Sequence, residues 1–202
     1  MSALAAGFAV SCSSKREEEV STLQRDTELN QFLADVERRA LRMAEISLRN
    51  RDDAMDLVQD AMIKLVKRYA DKGQDEWPPL FYRILQNGIR DFQRRQAVRN
   101  RVMVWFGRPG QDNEDYDPVA AAPDPMGRAP EQELANDEAM TELERAIHGL
   151  PPRQREAFML RTFEGLDVRS TATAMGVSEG SVKTHYSRAV HALRETLGEH
   201  WQ

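Results

Sequence analysis

The sequence predicts an all-α protein in which a flexible acidic linker joins two small helical domains. Apolar residues recur at spacings of three and four through residues 28–105 and again through 131–197, as they do in helices that bury one face. No stretch alternates apolar and polar residues in the manner of a half-buried strand. Between the periodic regions, residues 107–130 hold five prolines and three glycines among acidic residues, a composition that cannot bury a core.

The domain boundaries follow from these composition changes. We expect a disordered N-terminal extension over residues 1–26 and a first helical domain over 27–106. The flexible acidic, proline-rich linker occupies 107–130, and a second helical domain occupies 131–202.

Composition and charge narrow the classes of protein that fit. The chain has 202 residues and a net charge of −5, which argues against a protein that coats nucleic acid indiscriminately. Residues 83–108 contain seven arginines and one acid, whereas residues 109–144 contain eleven acids and one arginine. A basic block followed by an acidic block indicates a nucleic-acid contact beside a solvated linker.

Several features predict a cytoplasmic chain that does not insert into a membrane. No apolar run is long enough to cross a bilayer. The mildly apolar start has no basic residue before it, unlike a secretory signal, because the first charge is Lys15. The single cysteine, Cys12, excludes an internal disulfide and fits a reducing compartment.

The first domain begins with a helix predicted over residues 28–49. Its inner face is the set at helical spacing Leu29, Phe32, Leu33, Val36, Ala40, Met43, Ala44 and Ser47. An aspartate of the Arg51-Asp52-Asp53 stretch is expected to cap the next helix.

That next helix carries acids on one side. Asp53, Asp56 and Asp60 lie at spacings of three and four, with Gln59 beside them, so they share one face. The face is either simply solvated or a docking surface for a basic partner. A metal site is disfavoured because no histidine or cysteine lies nearby to complete it, and we expect no bound metal.

A third helix follows the turn at Trp77-Pro78-Pro79 and faces outward with polar and basic residues. The set comprises Asn87, Arg90, Asp91, Arg94 and Arg95. Arginine offers forked donors to phosphate, and nearby aromatic residues such as Tyr82, Phe92 and Trp105 can stack on unpaired bases. A merely solvated basic helix is the alternative.

The second domain ends in a predicted helix-turn-helix. Pro151 and Pro152 suit a helix start, Gly176 suits a left-handed helix end, and Ser178 suits the cap of the last helix. That helix buries the stripe Val182, Tyr186, Ala189, Leu193 and Leu197 and leaves a polar, partly basic face outward. The arrangement is either a major-groove reader or a plain helical hairpin with a solvated outer face.

Signatures of catalysis are missing from the sequence. It has no phosphate-cradling glycine loop, no nucleophile elbow and no cysteine or histidine pair at zinc spacing. We therefore expect no enzyme activity and no cofactor.

Two segments together resemble the extracytoplasmic-function (ECF) sigma factors of bacterial RNA polymerase, in the sigma-70 family. DAMDLVQDAMIKLVKRY with LFYRILQNGIRDFQRRQ is similar to sigma region 2, and the segment LPPRQREAFMLRTFEGLDVRSTATAMGVSEGSVKTHYSRAVHALR is similar to region 4. The resemblance spans roughly residues 28–197 and leaves only the linker uncovered. It implies a protein that binds core RNA polymerase and directs initiation at particular promoters.

The resemblance also implies three sets of functional residues. Core polymerase would contact Asp53, Asp56, Leu57, Gln59 and Asp60. The opened −10 strand would contact Asn87, Arg90, Asp91, Arg94 and Arg95. The duplex −35 element would contact Arg169, Ser181, Lys183, Thr184, His185 and Arg188, with Arg153 and Arg155 as phosphate contacts.

The same resemblance implies the binding partners and the cellular location. The partners would be core polymerase and promoter DNA that is single-stranded at −10 and duplex at −35, with an anti-sigma factor as a candidate further partner. In the holoenzyme the chain would lie with the nucleoid. The alternative is an autonomous helix-turn-helix regulator that binds duplex DNA by itself.

Overall fold

The computed structural model describes residues 4–105 and 130–198, with side chains for residues 23–99, 101 and 139–198. All the regular elements in these ranges are helices. In chain order they are α1 (Leu4–Leu48), α2 (Arg51–Tyr69), α3 (Trp77–Trp105), α4 (Pro130–Gly149), α5 (Pro152–Phe158), α6 (Val168–Met175) and α7 (Glu179–Leu197). A 3₁₀ turn, Gln74–Glu76, precedes α3, and a π-helical turn, Met159–Phe163, continues α5.

Helix α1 is longer than predicted. It is continuous from Leu4, so the prediction of disorder over residues 1–26 is wrong for the described part of that range. The physical reason is that residues 4–27 contain no proline and include three alanines and three glutamates, which favour helix. The backbone leaves the helix at Arg49, whose φ is +54°.

Helix α2 is capped by Asn50 rather than by an aspartate. The Asn50 Oδ1 accepts from the backbone N–H of Asp53 at 3.0 Å, so the expected aspartate cap is wrong. Asp52 and Asp53 instead lie in the first turn, where their negative charge interacts favourably with the helix dipole.

The first three helices enclose a core of aromatic and aliphatic side chains. Trp77 is fully buried, and its indole N–H donates to the carbonyl of Tyr69 at 3.1 Å. Phe32 lies 6.1 Å from the rings of both Trp77 and Phe81, centroid to centroid. The predicted inner face of α1 is largely confirmed, because Leu29, Val36, Ala40, Met43 and Ala44 are buried.

Helices α2 and α3 approach closely at a glycine. A Cβ placed on Gly88 would lie 3.2 Å from Leu57 Cδ2, tighter than an ordinary contact. Gly88 costs about 1 kcal/mol of helix propensity relative to alanine, and the close approach of Leu57 accounts for a small residue there.

The second domain forms the predicted helix-turn-helix. Pro152 begins α5, and Gly176 ends α6 in the left-handed region at φ 66°. Asp167 caps α6 by accepting from Ser170 N–H at 2.6 Å, and Ser178 caps α7 by accepting from Ser181 N–H. Of the predicted α7 stripe, Tyr186 is half-buried and the other four residues are buried.

The two domains touch each other. Helix α3 packs against α6, and α1 packs against α4. The buried apolar residues of both domains form one contiguous core. The predicted linker lies outside the described residues except for Pro130, which begins α4.

Candidate functional site

The acidic side of α2 is open to solvent. Asp56 and Gln59 are exposed, and Asp60 pairs with Lys64 at 2.5 Å within the helix. Asp53 is half-buried beside its Asn50 cap. Leu57 is also half-buried and packs toward α3 at Gly88, so only part of its side chain is accessible.

Exposed apolar residues accompany these acids, a feature that the sequence pattern did not predict. On α2 they are Met55, Ile63 and Val66. Ala54, the residue before Met55, is buried. An exposed surface that mixes apolar and acidic side chains is better suited to a protein partner than an acidic face alone.

The polar face of α3 is ordered by contacts three and four residues apart. Arg90 donates to Asn87 Oδ1 at 2.5 Å and to the backbone carbonyl of Gln86 at 3.2 Å. Arg94 donates to Asp91 Oδ1 at 3.2 Å. These pairs order four of the five predicted −10 residues on one face, where Asn87 and Arg94 are exposed and Arg90 and Asp91 are half-buried. Arg95 follows on the same helix and is exposed.

The aromatic residues near this face do not all lie where bases could reach them. Tyr82 is 1% exposed, so its predicted role in base stacking is wrong. It packs edge-on against Phe81 at 5.2 Å, inside the first domain. Burial, together with the nearby Glu164 carboxylate, raises the pKa of the Tyr82 hydroxyl. Phe92 is half-buried, and the Trp105 side chain lies outside the described residues.

The outer face of α7 presents short polar and basic side chains. Lys183, Thr184 and Arg188 are exposed, and Ser181 and His185 are half-exposed. The Ser181 hydroxyl lies 2.9 Å from the Ser178 hydroxyl, and Thr184 donates to the Gly180 carbonyl at 3.0 Å. Arg169 is exposed on α6, next to this face in the helix-turn-helix.

Two arginines of α5 have structural partners. Arg155 is buried and donates to the carbonyls of Ile147 and Leu150, at 3.2 and 3.1 Å, and also to that of His148. It holds the α4–α5 turn, so its predicted phosphate contact is wrong. Arg153 donates to Glu156 at 2.9 Å and to the Met175 carbonyl at 3.1 Å.

The aromatic residues between α5 and α7 support the recognition helix. Phe158 and Tyr186 stack at 6.3 Å, and Phe163 meets Phe158 edge-on at 6.0 Å. The Arg161 guanidinium lies over the Tyr186 ring, 5.8 Å from its centroid. Tyr186 is therefore fixed from the α5 side, which orients the outer face of α7.

The described residues contain no group of three or more potential metal-binding side chains. No helix within the described ranges is long and apolar enough to cross a bilayer.

Two known protein families match the chain, one in each of its two helical domains. The family "Sigma-70 region 2" matches residues 29–99, which span most of the first domain. The family "Sigma-70, region 4" matches residues 140–193, which include the helix-turn-helix.

Individual relatives match across both parts. SigE of Mycolicibacterium smegmatis, an ECF RNA polymerase sigma factor, is 31% identical over 163 residues, or 80% of this chain and 58% of SigE. SigM of Mycobacterium tuberculosis is 30% identical over 162 residues, covering 78% of this chain and 70% of SigM. The sigma-E factor of Streptomyces coelicolor is 31% identical over 72% of each chain.

Solved structures agree on the fold. The sigma factor RpoE of Bartonella quintana, in complex with the anti-sigma factor NepR, aligns with a TM-score of 0.57 at 25% identity. The alignment covers 84% of this chain and 96% of RpoE. CnrH in complex with the cytosolic domain of CnrY aligns with a TM-score of 0.56 at 19% identity, which shows the fold alone.

Two helical domains matching regions 2 and 4, with an open acidic helix and a helix-turn-helix, define a promoter-recognising subunit of the sigma-70 class. Within that class, the chain belongs to the extracytoplasmic-function RNA polymerase sigma factors. The autonomous-regulator alternative is not favoured, because the first domain is a sigma region 2.

Proposed function

We propose that this chain binds core RNA polymerase through α2, holds the opened −10 strand on α3 and reads the duplex −35 element with α7. The observation that carries the proposal is that three chemically different open faces lie on three separate helices. The chain contributes recognition and no catalytic group, and it acts in the cytoplasm, with the nucleoid when in the holoenzyme.

The polymerase-binding surface that we propose is the acidic side of α2 with its apolar neighbours. Asp56, Gln59 and Asp60 supply charge and hydrogen-bond acceptors for a basic partner, with Asp53 at the helix start. Complementary charge accelerates encounter and fixes register, while apolar side chains add burial. Leu57 supports this surface from behind by filling the gap above Gly88.

The −10 surface that we propose is the polar face of α3. Asn87 and Asp91 can hydrogen-bond the pairing edge of a base only after the base has left the stack. Arg90, Arg94 and Arg95 bind the phosphates that flank it. Binding energy gained on the opened strand offsets the cost of melting the duplex.

The −35 surface that we propose is the outer face of α7. Lys183, Thr184 and Arg188 are its exposed side chains, and Ser181 and His185 are half-exposed beside them. A bidentate contact between a side chain and a base edge discriminates by about 1–3 kcal/mol. Arg169 on α6 contacts phosphate, which positions the domain without specifying sequence.

An anti-sigma factor is a further partner that we infer. The sigma factor RpoE of Bartonella quintana was solved with the anti-sigma factor NepR bound. Co-purification of this chain with a second protein that blocks polymerase binding would support the inference.

The polymerase contact is tested by reversing charge on α2. Asp56→Arg with Asp60→Arg is expected to weaken binding to core polymerase at least about tenfold, because two attractive charges become repulsive. The matched control is Asp71→Arg with Asp75→Arg, two exposed acids beyond the end of α2. Binding is measured by fluorescence anisotropy of labelled chain. Equal affinity of the two double variants would contradict the docking surface.

The −35 contact is tested with Arg188→Ala. This variant is expected to lose selectivity among −35 sequences by about tenfold, since one base contact is removed, while binding to core polymerase stays unchanged. Initiation is measured on promoters that differ only in the −35 element. An equal loss on every promoter would make Arg188 a phosphate contact instead.

A further inference from the structure

Arg90 differs from the other arginines of the proposed −10 surface because its donors are already engaged within the protein. Its Nε donates to the backbone carbonyl of Gln86 at 3.2 Å, and its Nη2 donates to Asn87 Oδ1 at 2.5 Å. Its Nη1 lies 3.9 Å from Glu156 Oε2. The side chain of Arg90 is 29% exposed, whereas that of Arg94 is 76% exposed. Each nitrogen of the Arg90 guanidinium group therefore has a partner before any strand binds.

The two shorter contacts of Arg90 belong to α3 itself. Gln86, Asn87 and Arg90 lie within about one turn of this helix, so the helix alone brings them together. The Nε bond to the backbone orients the guanidinium group, and the rigid fork of that group directs Nη2 to the Asn87 side chain. The contact with Glu156 is the longest of the three. The pairing of Arg90 with Asn87 is thus a local property of α3.

The bond from Arg90 decides which end of the Asn87 amide faces outward. A guanidinium group has only donors, so the amide turns its oxygen toward Arg90 and its NH2 group away from it. Asn87 is exposed, and the NH2 group is the end left for a base. An asparagine held in this way donates to a base and does not accept from it. An asparagine that turns freely does either, and therefore adapts to any base.

Asp91, one turn further along α3, supplies the opposite polarity. Arg94 Nη2 donates to Asp91 Oδ1 at 3.2 Å, which leaves Oδ2 to accept from a base. Asn87 and Asp91 are four residues apart and share a face of the helix. The polar face of α3 therefore offers a donor of fixed polarity beside an acceptor.

A fixed order of donor and acceptor divides the four bases into two pairs. On the pairing edge, adenine and cytosine carry an amino donor beside a ring acceptor, and we call them the amino bases. Guanine and thymine carry a keto acceptor beside a ring N–H donor, in the reverse order, and we call them the keto bases. A base whose edge matches the order on α3 is favoured, and a base with the reversed edge leaves polar groups unpaired.

We propose that Arg90 is a positioning residue that fixes the Asn87 amide, so that Asn87 and Asp91 together separate amino bases from keto bases. The phosphate contacts of this surface then fall mainly to Arg94 and Arg95, which are exposed. The inference rests on the proposed −10 role of α3 and identifies the residue that makes this surface selective.

The test uses holoenzyme assembled from core polymerase and the full chain. Arg90→Gln removes both the charge and the fork of donors, whereas Arg90→Lys keeps the charge and removes only the fork. Arg95→Gln is the matched comparison, because it removes the same charge from an exposed arginine of α3. Circular dichroism and the Kd for core polymerase check that each variant is folded.

Two quantities are measured on each holoenzyme with a random single strand of about 12 nucleotides. One is the slope of log Kd against log salt concentration, to which each phosphate contact adds about 0.7. The other is base preference, obtained by sequencing bound and unbound strands. It is expressed as the enrichment of amino over keto bases, or the reverse, at the most strongly selected position.

Wild-type holoenzyme is expected to separate amino from keto bases by at least about fivefold at one position. Both Arg90 variants are expected to reduce this ratio below about twofold, while the salt slope changes by less than half of one phosphate contact. Arg95→Gln is expected to reduce the slope by about 0.7 and to keep the base ratio. A base ratio kept by Arg90→Lys, or a slope that falls as far in Arg90→Gln as in Arg95→Gln, would make Arg90 a phosphate contact and overturn the proposal.

A double substitution tests whether Arg90 acts through Asn87. In a chain that carries Asn87→Ala, adding Arg90→Lys is expected to change the Kd for the strand by less than about twofold, because the amide that Arg90 positions is gone. Independent, additive effects of the two substitutions would also overturn the proposal.

Failure of the proposed function would give a different result. Wild-type holoenzyme that binds the strand no better than core polymerase alone would remove the −10 role of α3. Wild-type holoenzyme that binds and separates the bases, with the same base ratio in both Arg90 variants, would remove only the positioning role of Arg90.

Discussion

At the scale of single residues, a histidine at the contact between the domains makes the folding stability of the chain depend on pH. His148, at the end of α4, lies with Nδ1 2.7 Å from the carbonyl oxygen of Ile46 in α1. Burial lowers the pKa of His148 below its ordinary value of 6.5; the hydrogen bond to Ile46 raises it, and nearby Arg155 and Arg49 lower it further. The folded chain therefore favours the neutral ring.

A pH dependence follows from this shift. As pH falls through about 6.5, the unfolded chain gains a proton at His148 that the folded chain does not, so stability falls. The loss is complete below the folded pKa. His148→Gln is expected to flatten the slope of Tm against pH between about pH 5.5 and 7.5.

The control for this prediction is His191→Gln, which changes an exposed histidine of α7. It is expected to keep the wild-type slope. An unchanged slope in His148→Gln would show that protonation of this ring is not coupled to folding.

At the scale of elements, the turn of the helix-turn-helix depends on backbone conformation. Gly176 has φ 66° and ψ 38°, and its N–H donates to the Ala172 carbonyl. A side chain in this region is strained by contact between its Cβ and the backbone. The turn sets the angle at which α7 leaves α6, so it also fixes the outer face of α7.

Gly176→Ala is expected to cost about 1–2 kcal/mol of unfolding free energy because the left-handed conformation is retained under strain. Gly180→Ala is the matched comparison, since Gly180 lies inside α7 and a Cβ placed on it would meet only Ser178 Oγ, at 3.9 Å. It is expected to gain up to about 1 kcal/mol from helix propensity. Urea unfolding measures the change in unfolding free energy for each variant. Equal changes in the two variants would contradict the role of the turn.

The sequence pattern predicted those features that depend only on residues close together in the chain. The α7 stripe, the Gly176 turn and the Ser178 cap follow from spacing and from nearby hydrogen bonds, and all appear in the structure. Burial of Tyr82 and Glu156 could not be predicted in this way, because each is covered by a segment distant in sequence. Residue spacing within a helix does not reveal which other domain will cover it. In the sequence, Tyr82 and Glu156 therefore look like ordinary residues on a helix surface.

The π-helical turn that continues α5 also could not be predicted from the sequence pattern. The π-helical turn is closed by Glu164 N–H, which donates to the Met159 carbonyl at 3.2 Å. It leads directly to Glu164, whose side chain is 2% exposed and binds Arg39 of region 2. A periodicity of 3.6 residues does not distinguish such a turn from regular helix, although π-helical turns occur often at functional sites.

At the scale of the whole molecule, the arrangement of the domains links distant parts of the sequence. Arg39 and Glu164 are 125 positions apart and bonded at 3.1 Å. Because α1 and α3 belong to one domain and α5 and α6 to the other, such a contact makes the stability of each domain depend on the other.

A double-mutant cycle measures that dependence. Arg39→Ala and Glu164→Ala are expected to show a coupling energy of about 0.5–2 kcal/mol in thermal unfolding, reduced at high salt. The comparison pair is Arg94 with Asp91, which lie on one helix and stay coupled whether or not the domains touch. Strictly additive effects at Arg39 and Glu164 would contradict contact between the domains in solution.

Run-off transcription with sigma-free core polymerase, on a library of bacterial promoter fragments, measures whether this chain gives the polymerase its choice of promoter. Promoter-dependent transcripts are expected only when this chain is added, and far fewer are expected with Asp56→Arg and Asp60→Arg together. Core polymerase that stays silent on every template with the wild-type chain, and does not co-migrate with it, would show that the chain does not act as a sigma factor.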